Sequence, residues 1–184
     1  GIDSITGGAG VDNIDAGAGN DIIIVADDAE FKVSGGVETV NGGLGTDTLS
    51  FTEGADLTLT APELSQLYSV EKIVLASNTT SLTFGNETFT NLGNASLQIT
   101  TTSTNNVTTI DGSAVSNGSF LIVDDGSNNN SDNLVGGSGD DIFRFATTTG
   151  LTSGDTVTGG AGTDTIQLDN TAAATVDMDF NNVT

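Results

Sequence analysis

Cysteine and histidine are both absent from this chain of 184 residues. Their absence excludes disulfide bonds, metal sites made of thiolates or imidazoles, and catalytic pairs of a nucleophile with a histidine. Basic residues are scarce as well, since only Lys32, Lys72 and Arg144 stand against 25 acidic residues and the net charge is −22. A chain this acidic repels nucleic acid and anionic membranes, and it attracts cations.

Long apolar runs are missing too. No stretch approaches the ~18 apolar residues of a membrane helix, and no signal peptide opens the chain. We therefore expect no membrane insertion. Residues 1–6 read as a repeat without its first three residues, so we expect a fragment. High charge and 25 glycines are also typical of disordered chains. Because apolar residues recur at fixed spacing, we expect disorder only in a metal-free state.

What the chain has instead is a nine-residue motif, G-G-x-G-x-D-x-U-x, in which U is a large apolar residue. Matching copies stand at residues 7–15, 42–50, 136–144 and 159–167. The glycines allow turns with positive φ and expose carbonyls, the Asp supplies a hard oxygen ligand, and U points into a narrow core. This pattern is typical of calcium-binding parallel β-helices.

Weaker copies extend the motif into two blocks. Acidic residues recur mostly nine positions apart, with one deletion before Glu38 and an insertion at 145–149. After Glu30 the apolar position holds Lys32. We predict three segments: a first block at 1–50, Thr-rich β-helical coils continuous with it at 51–126, and a second block with the start of a further coil at 127–184.

The middle segment keeps strand-like pieces. β-Branched or alternating runs occur at 57–60, 72–75, 81–84, 96–99 and 120–123. Residues 61–67 alone suggest a helix, because Pro62 suits a first turn and Leu64 and Leu67 share a face. These pieces favour wider solenoid coils, with a separate β-sandwich as the alternative. The predicted fold is all-β, a right-handed parallel β-roll and β-helix forming one solenoid.

Stacked coils of this kind imply a bound cation. If two nonapeptides close a coil of eighteen residues, Asp3 stacks over Asp21, and Asp12 over Glu30. Carboxylates about 4.8 Å apart repel one another unless a cation lies between them. Two carboxylates and several turn carbonyls suit the six to eight oxygens of Ca²⁺ better than the tight octahedron of Mg²⁺. The alternative is that these Asp residues only form Asx-turns in a metal-free solenoid.

The motifs resemble the repeats-in-toxin (RTX) β-roll of secreted bacterial proteins. The resemblance implies several Ca²⁺ ions, held by the Asp of each turn and by alternate main-chain carbonyls. Asp12, Asp21, Asp47, Asp141 and Asp164 are the first carboxylate ligands it nominates. Asp3, Asp132 and Asp155 sit in weaker copies, and Glu30 and Glu38 replace the Asp. The carbonyl ligands that it implies belong to Gly7, Ala9, Gly42, Leu44, Gly136, Ser138, Gly159 and Ala161.

The middle segment resembles calcium-dependent surface-layer proteins and giant bacterial surface proteins, on residues 45–51, 70–75 and 109–114. That resemblance implies a structural segment of an extracellular, cell-surface assembly, with copies of itself or neighbouring domains as partners. The alternatives are a stalk of a large adhesin and the carrier region of a type I-secreted enzyme or toxin. We expect no catalysis, because the acids lie where calcium holds them ionised, and the chain has few bases and one tyrosine.

Overall fold

A computed structural model of the chain describes residues 1–26, 38–52, 56–76, 79–93, 96–102, 107–124, 131–146 and 150–169. The elements in chain order are β1 (Ser4–Thr6), β2 (Asn13–Asp15), β3 (Ile22–Val25), β4 (Thr39–Asn41), β5 (Thr48–Phe51), β6 (Leu57–Leu59), α1 (Ala61–Leu64), β7 (Leu67–Tyr68), β8 (Lys72–Leu75), β9 (Thr79–Thr83), α2 (Asn86–Leu92), β10 (Ser96–Thr101), β11 (Val107–Asp111), β12 (Ser119–Asp124), β13 (Asn133–Val135), β14 (Ile142–Phe145), β15 (Thr156–Thr158) and β16 (Thr165–Leu168). The predicted further coil beyond residue 169 lies outside the described residues.

The strands stack into an all-parallel β-solenoid, which confirms the predicted fold class. The long sheet has the order β1-β3-β5-β8-β10-β12-β14-β16, a five-stranded sheet has the order β6-β9-β11-β13-β15, and a three-stranded sheet has the order β2-β4-β7. In the long sheet β5 pairs with β8 and β12 pairs with β14. The middle strands therefore share their sheet with the repeat strands and form no separate sandwich. The long sheet continues without a break past residues 50 and 126. The segment boundaries at those residues therefore stay a prediction.

The core is a column of inward side chains from successive strands. Ile23, Leu49, Ile73, Ile99 and Ile122 have exposed fractions of 0–1 %. Strand registers place each of them opposite the next. Alternation of inward and outward residues produces this column, since successive side chains of a strand point to opposite faces. The apolar position of the nonapeptide belongs to the same core.

Coil length differs from the eighteen-residue prediction. Ser4 pairs with Ile22, so the first coil has eighteen residues and Asp3 does stack over Asp21. Later coils are longer, with paired residues 21 to 28 positions apart. Asn13 pairs with Thr39, which sets Asp12 beside Glu38. The predicted pairing of Asp12 with Glu30 is therefore wrong, and Glu30 itself lies outside the described residues.

Two short helices interrupt the middle coils. α1 begins with a capping box between Thr60 and Glu63 and ends at Leu64, earlier than predicted, because the chain returns to the sheet at β7. The sequence did not predict α2, whose Asn- and Thr-rich turns have weak helix propensity. Phe89 and Leu92 anchor it in the core, and it packs against β7, the last strand of the three-stranded sheet.

Candidate metal centre

The acidic residues of the repeats lie immediately before strands. Asp21 precedes β3, Asp47 precedes β5 and Asp141 precedes β14, and all three have an exposed fraction of 0 %. Asp132 precedes β13 and is 3 % exposed. Because parallel strands stack in register, these side chains form columns along the edges of the solenoid. Burying a row of carboxylates without cations is costly.

One oxygen of each carboxylate links neighbouring coils. The amide of Asp3 donates to Asp21 Oδ1, the amide of Asp21 donates to Asp47 Oδ1, and the amide of Asp47 donates to Glu71 Oε2, each at 2.7 Å. These four residues, here called the acidic ladder, lie at the N-terminal ends of the strands of the long sheet. The Asp side chains therefore bond to the adjacent coil, which goes beyond the Asx-turn role that was the alternative.

The second block repeats the arrangement at both of its edges. On one edge the amide of Phe120 donates to Asp141 Oδ1 at 2.6 Å, and the amide of Asp141 donates to Asp164 Oδ1 at 3.0 Å. On the other edge the amide of Asp132 donates to Asp155 Oδ1 at 2.8 Å. Amide donors hold one oxygen of each of these carboxylates in place, and the second oxygens of Asp141 and Asp155 accept further amides, from Gly137 and from Thr152.

The second oxygen is buried and unpartnered in three of the nominated ligands. Among the described residues, Oδ2 of Asp12, of Asp21 and of Asp47 has no hydrogen-bond partner. An unsatisfied buried carboxylate oxygen costs several kcal/mol, more than a neutral polar atom. A cation removes that cost by direct ligation. These orphaned oxygens are the observation that fits a hard, oxygen-seeking metal to the turns.

The first glycine of each nonapeptide makes room for that oxygen. A Cβ built on Gly42 would lie 2.7 Å from Asp47 Oδ2 and would overlap the carbonyl oxygen of Ser69. A Cβ built on Gly136 would overlap both Asp141 Oδ2 and the carbonyl oxygen of Gly159. A carboxylate and a main-chain carbonyl therefore converge on the same small space, which only glycine leaves open.

Two carboxylates from neighbouring coils converge at Gly7. A Cβ there would lie 3.0 Å from Asp12 Oδ2 and 3.4 Å from Glu38 Oε1. This pair takes the place of the predicted pair of Asp12 with Glu30. Repulsion at such proximity is relieved by a divalent cation, as the sequence reasoning expected for stacked acids.

The glycine turns stack directly on one another. Gly43 has a φ of 97°, and Cβ at that position would overlap the carbonyl oxygen of Gly17. The amide of Leu44 donates to Gly17 O and the amide of Gly19 donates to Leu44 O, both at 2.8 Å. The nominated Leu44 carbonyl is therefore already one partner in a coil-to-coil hydrogen bond. The full set of nominated carbonyls stays a prediction, for Gly7, Ala9, Gly42, Leu44, Gly136, Ser138, Gly159 and Ala161.

Electrostatics of the metal-free ladder oppose its full ionisation. Burial raises the pKa of Asp47, with further contributions from the charges of Glu71 and Asp21, against a lowering by the amide of Asp21. Burial likewise raises the pKa of Asp141, beside Asp164 and Asp140. Both carboxyls thus hold a proton more tightly than usual in the metal-free fold. A bound divalent cation supplies the positive charge that a proton otherwise provides.

The ligand set must combine carboxylates with other oxygens. In the described part of the chain, no three acidic side chains gather closely enough to hold an ion by themselves. Ca²⁺ accepts carboxylate, carbonyl and water oxygens together, in six- to eightfold coordination. The convergence of one or two carboxylates with a turn carbonyl matches that preference. The carboxylate ligands proposed for these turns are Asp3, Asp12, Asp21, Asp47, Asp132, Asp141, Asp155 and Asp164.

Glu71 is the member of the ladder that the sequence reasoning missed. Its carboxylate accepts the amide of Asp47, just as Asp47 accepts the amide of Asp21. The usable signal was its spacing, since Glu71 stands two residues before the core residue Ile73, as Asp47 stands before Leu49. The missing glycine turn before Glu71 hid that relation.

Comparison with known families gives the repeats their identity. The sequence model described as RTX calcium-binding nonapeptide repeat matches in four copies, at residues 1–28, 34–57, 127–144 and 149–170, which together make up half of the chain. No curated protein and no solved structure matches the chain. Repeats of this family bind Ca²⁺ in their turns, with several ions per domain. The chain therefore belongs to the RTX calcium-binding repeat family and is a calcium-binding β-solenoid.

Proposed function

We propose that the chain is a calcium-dependent structural segment of an extracellular bacterial surface layer or filament, which folds and assembles when Ca²⁺ binds. The observation that carries this proposal is the unbroken long sheet, which joins two calcium-binding blocks through the middle coils. Eight strands at the usual spacing span about 34 Å. A ladder of this length is suited to bearing load or setting a distance.

Location and chemistry agree with that role. Proteins with these repeats are typically secreted, and their repeat domains are typically structural. Within the described residues, no helix is long and apolar enough to cross a bilayer. Coupling to Ca²⁺ keeps the chain extended where calcium is scarce and folds it where calcium is abundant. We assign the chain no catalytic role.

Electron microscopy tests the assembly. The chain is imaged in about 10 mM Ca²⁺, which saturates extracellular-type sites, and again after excess chelator. Ordered sheets or fibres that dissolve in chelator are the expected result. A double variant, Asp47→Asn with Asp141→Asn, should assemble only at higher calcium, whereas Asp56→Asn, at an exposed position beside β6, should behave as the parent chain.

Soluble monomers at every calcium concentration would contradict the proposal. Calcium-induced folding without assembly is the behaviour of the carrier region of a secreted enzyme or toxin. Assembly that persists in chelator would show that the ladder carboxylates have no part in it.

A further inference from the structure

A polar groove lies on the outer face of the three-stranded sheet, next to the turns that contain Asp12 and Gly42. This open groove has a volume of about 470 Å³, within the range of ~300–1,000 Å³ typical of small-molecule sites. Strand register sets Asn13 beside Thr39 and lines up Asp15, Asn41 and Tyr68 across the three strands. The inward partners of these residues fill the core, so their own side chains face outward. The groove exists because the three-stranded sheet ends at α2.

Helix α2 closes one side of the groove. Asn91 of this helix lines it, and its side-chain amide donates to the carbonyl of Ser65 at 2.6 Å. Ser69, next to Tyr68, has a φ of 50° and is the one described non-glycine residue with positive φ. Backbone strain of this kind is concentrated at functional sites. The helix side of the groove, at Asn91, and the turn at Ser69 beside the ring of Tyr68 are therefore in place before a ligand binds.

The lining offers paired donors and acceptors beside one aromatic face. Asn13, Asp15 and Asn41 supply amide and carboxylate groups on adjacent strands. Within the described residues, the bond from Asn41 Nδ2 to Asp15 Oδ1 is long, at 3.3 Å, and it alone joins two of them. Most of their hydrogen-bonding capacity faces the groove. Tyr68 is half-buried, so its ring is held in place while part of its surface faces the groove.

The charge of the groove and the pairing of its strands limit which ligands can bind there. Among the described residues, no lysine or arginine lines the groove; it contains the carboxylate of Asp15, and the chain carries a net charge of −22. Anionic ligands are therefore repelled. The central strand β4 is paired on both sides, with β2 and with β7, so the floor of the groove offers an extended peptide no free strand to pair with. A ligand with several hydroxyl groups and one apolar face meets all of these conditions.

We propose that this groove binds one or two rings of a neutral sugar, with Tyr68 stacked against the apolar face of a ring. Asn13, Asp15 and Asn41 hydrogen-bond its hydroxyls. This inference goes beyond the structural role, since it requires only the calcium-bound fold and no assembly. A segment with this groove contacts glycan as well as spacing the parts of a surface protein.

Tyr68 provides its own reporter. The chain has one tyrosine and no tryptophan, so tyrosine emission comes from the groove alone. The calcium-loaded chain is titrated with D-galactose, D-mannose and cellobiose, and with D-glucuronate as the anionic comparison. At least one neutral sugar should change the emission saturably, with Kd near ~1 mM for a ligand of about 12 non-hydrogen atoms. Glucuronate should bind more weakly.

Variants locate the binding. Asn41→Ala removes hydroxyl contacts and should weaken binding about tenfold, while Thr165→Ala, exposed on the long sheet, should leave it unchanged. If Asn41→Ala fails to fold, Asn13→Ala, at an exposed position, replaces it as the test of sugar binding. Tyr68→Ala, followed by calorimetry, should abolish binding. Calcium-induced circular dichroism confirms that each variant folds.

Three results would overturn the inference. The first is no saturable response to any of these neutral sugars up to about 100 mM, far above the expected Kd. The second is a response that Asn41→Ala and Tyr68→Ala leave unchanged. The third is emission that follows added calcium beyond saturation of folding and ignores sugar, which would assign the groove to the metal. Failure of sugar binding leaves the calcium-dependent assembly test unaffected.

Discussion

One column of positions along the long sheet holds acids in the outer coils and at Glu71, and apolar residues in the middle coils that follow Glu71. Asp21, Asp47 and Asp141 lie fully buried at this position in the repeats. Leu97 and Phe120 lie at it in the middle, in register with each other and equally buried. The long sheet therefore contains two kinds of coil, and only the acidic kind has fully buried carboxylates in this column.

The middle coils are stabilised by aromatic packing. The ring of Phe120 meets the rings of Phe84 and Phe89 edge to face, with centroids 5.2 Å and 5.0 Å away. Such pairs contribute about 0.5–1.5 kcal/mol beyond their apolar burial. This stabilisation is independent of metal, whereas the outer coils depend on cations to offset buried charge. We therefore expect calcium to stabilise the outer coils more than the middle coils.

Loss of the central ring should have the largest effect. Phe120→Ala removes a fully buried aromatic side chain and should cost about 3–5 kcal/mol of the free energy of unfolding. Further calcium should not restore that stability, because no ligand is lost. Urea unfolding in saturating calcium measures the loss, with Val107→Ala, an exposed change in the same region, as control. If added calcium fully restored the stability of Phe120→Ala, the middle coils would depend on calcium as the outer coils do, contrary to our account.

Glycine substitutions compare a repeat turn with a helix end. Gly43 has positive φ and Cβ there would overlap Gly17 O, so Gly43→Ala combines backbone strain with a clash and should cost about 2–3 kcal/mol. Gly93, which ends α2 at a φ of 68°, has open space around it, and Gly93→Ala should cost about 1 kcal/mol. Urea midpoints and the calcium needed for folding give the comparison. Equal losses of stability would show that the stacked turns require glycine no more strictly than the helix end does.

A single carboxylate tests the sign of the calcium effect. Asp47→Asn keeps an acceptor for the amide of Asp21 but removes the charge. In calcium the variant should lose about 1–3 kcal/mol, and in chelator it should lose nothing or gain, because like-charge repulsion is relieved. Calcium titration followed by circular dichroism should show a higher midpoint, with Asp56→Asn unchanged. Equal destabilisation with and without calcium would mean that Asp47 acts only as a hydrogen-bond acceptor.

The smallest expected effect is that of pH on the metal-free chain. Burial raises the pKa of both Asp47 and Asp141, so the fold binds protons more tightly than the unfolded chain. Their contribution to stability is fully present below the unfolded pKa, near 3.8, and is lost as pH rises through the raised folded values. In chelator the β signal should therefore grow on acidification from pH 7. A signal that falls instead would reverse the electrostatic account.

Sequence patterns predicted the outer coils well because each nonapeptide specifies its turn, ligand and core residue locally. The apolar residue two positions after each nominated Asp does lie in the core or packs against it, and Asp3 does stack over Asp21. The register of longer coils is not local. Asp12 meets Glu38 because this coil has 26 residues and not the eighteen of two repeats, and the nonapeptide spacing does not predict the extra length.

The middle coils were predicted as strands with one helix. Runs such as Lys72–Leu75 carry β-branched residues and form the strand expected of them. Helix α2 escaped prediction because its stability comes from Phe89 packing on Phe120, a contact between residues far apart in sequence. The groove beside Tyr68 depends on where that helix ends the three-stranded sheet, so the sequence alone gave no sign of it.

Amide hydrogen exchange with and without calcium tests the central claim most directly. With calcium, strands β3, β5, β14 and β16 should exchange slowly. In excess chelator those strands should lose most of their protection, while β10 and β12, packed around Phe120, should retain measurably more. Equal protection of all strands in chelator would contradict the account, because it would mean that the buried acidic ladder stands without its cations.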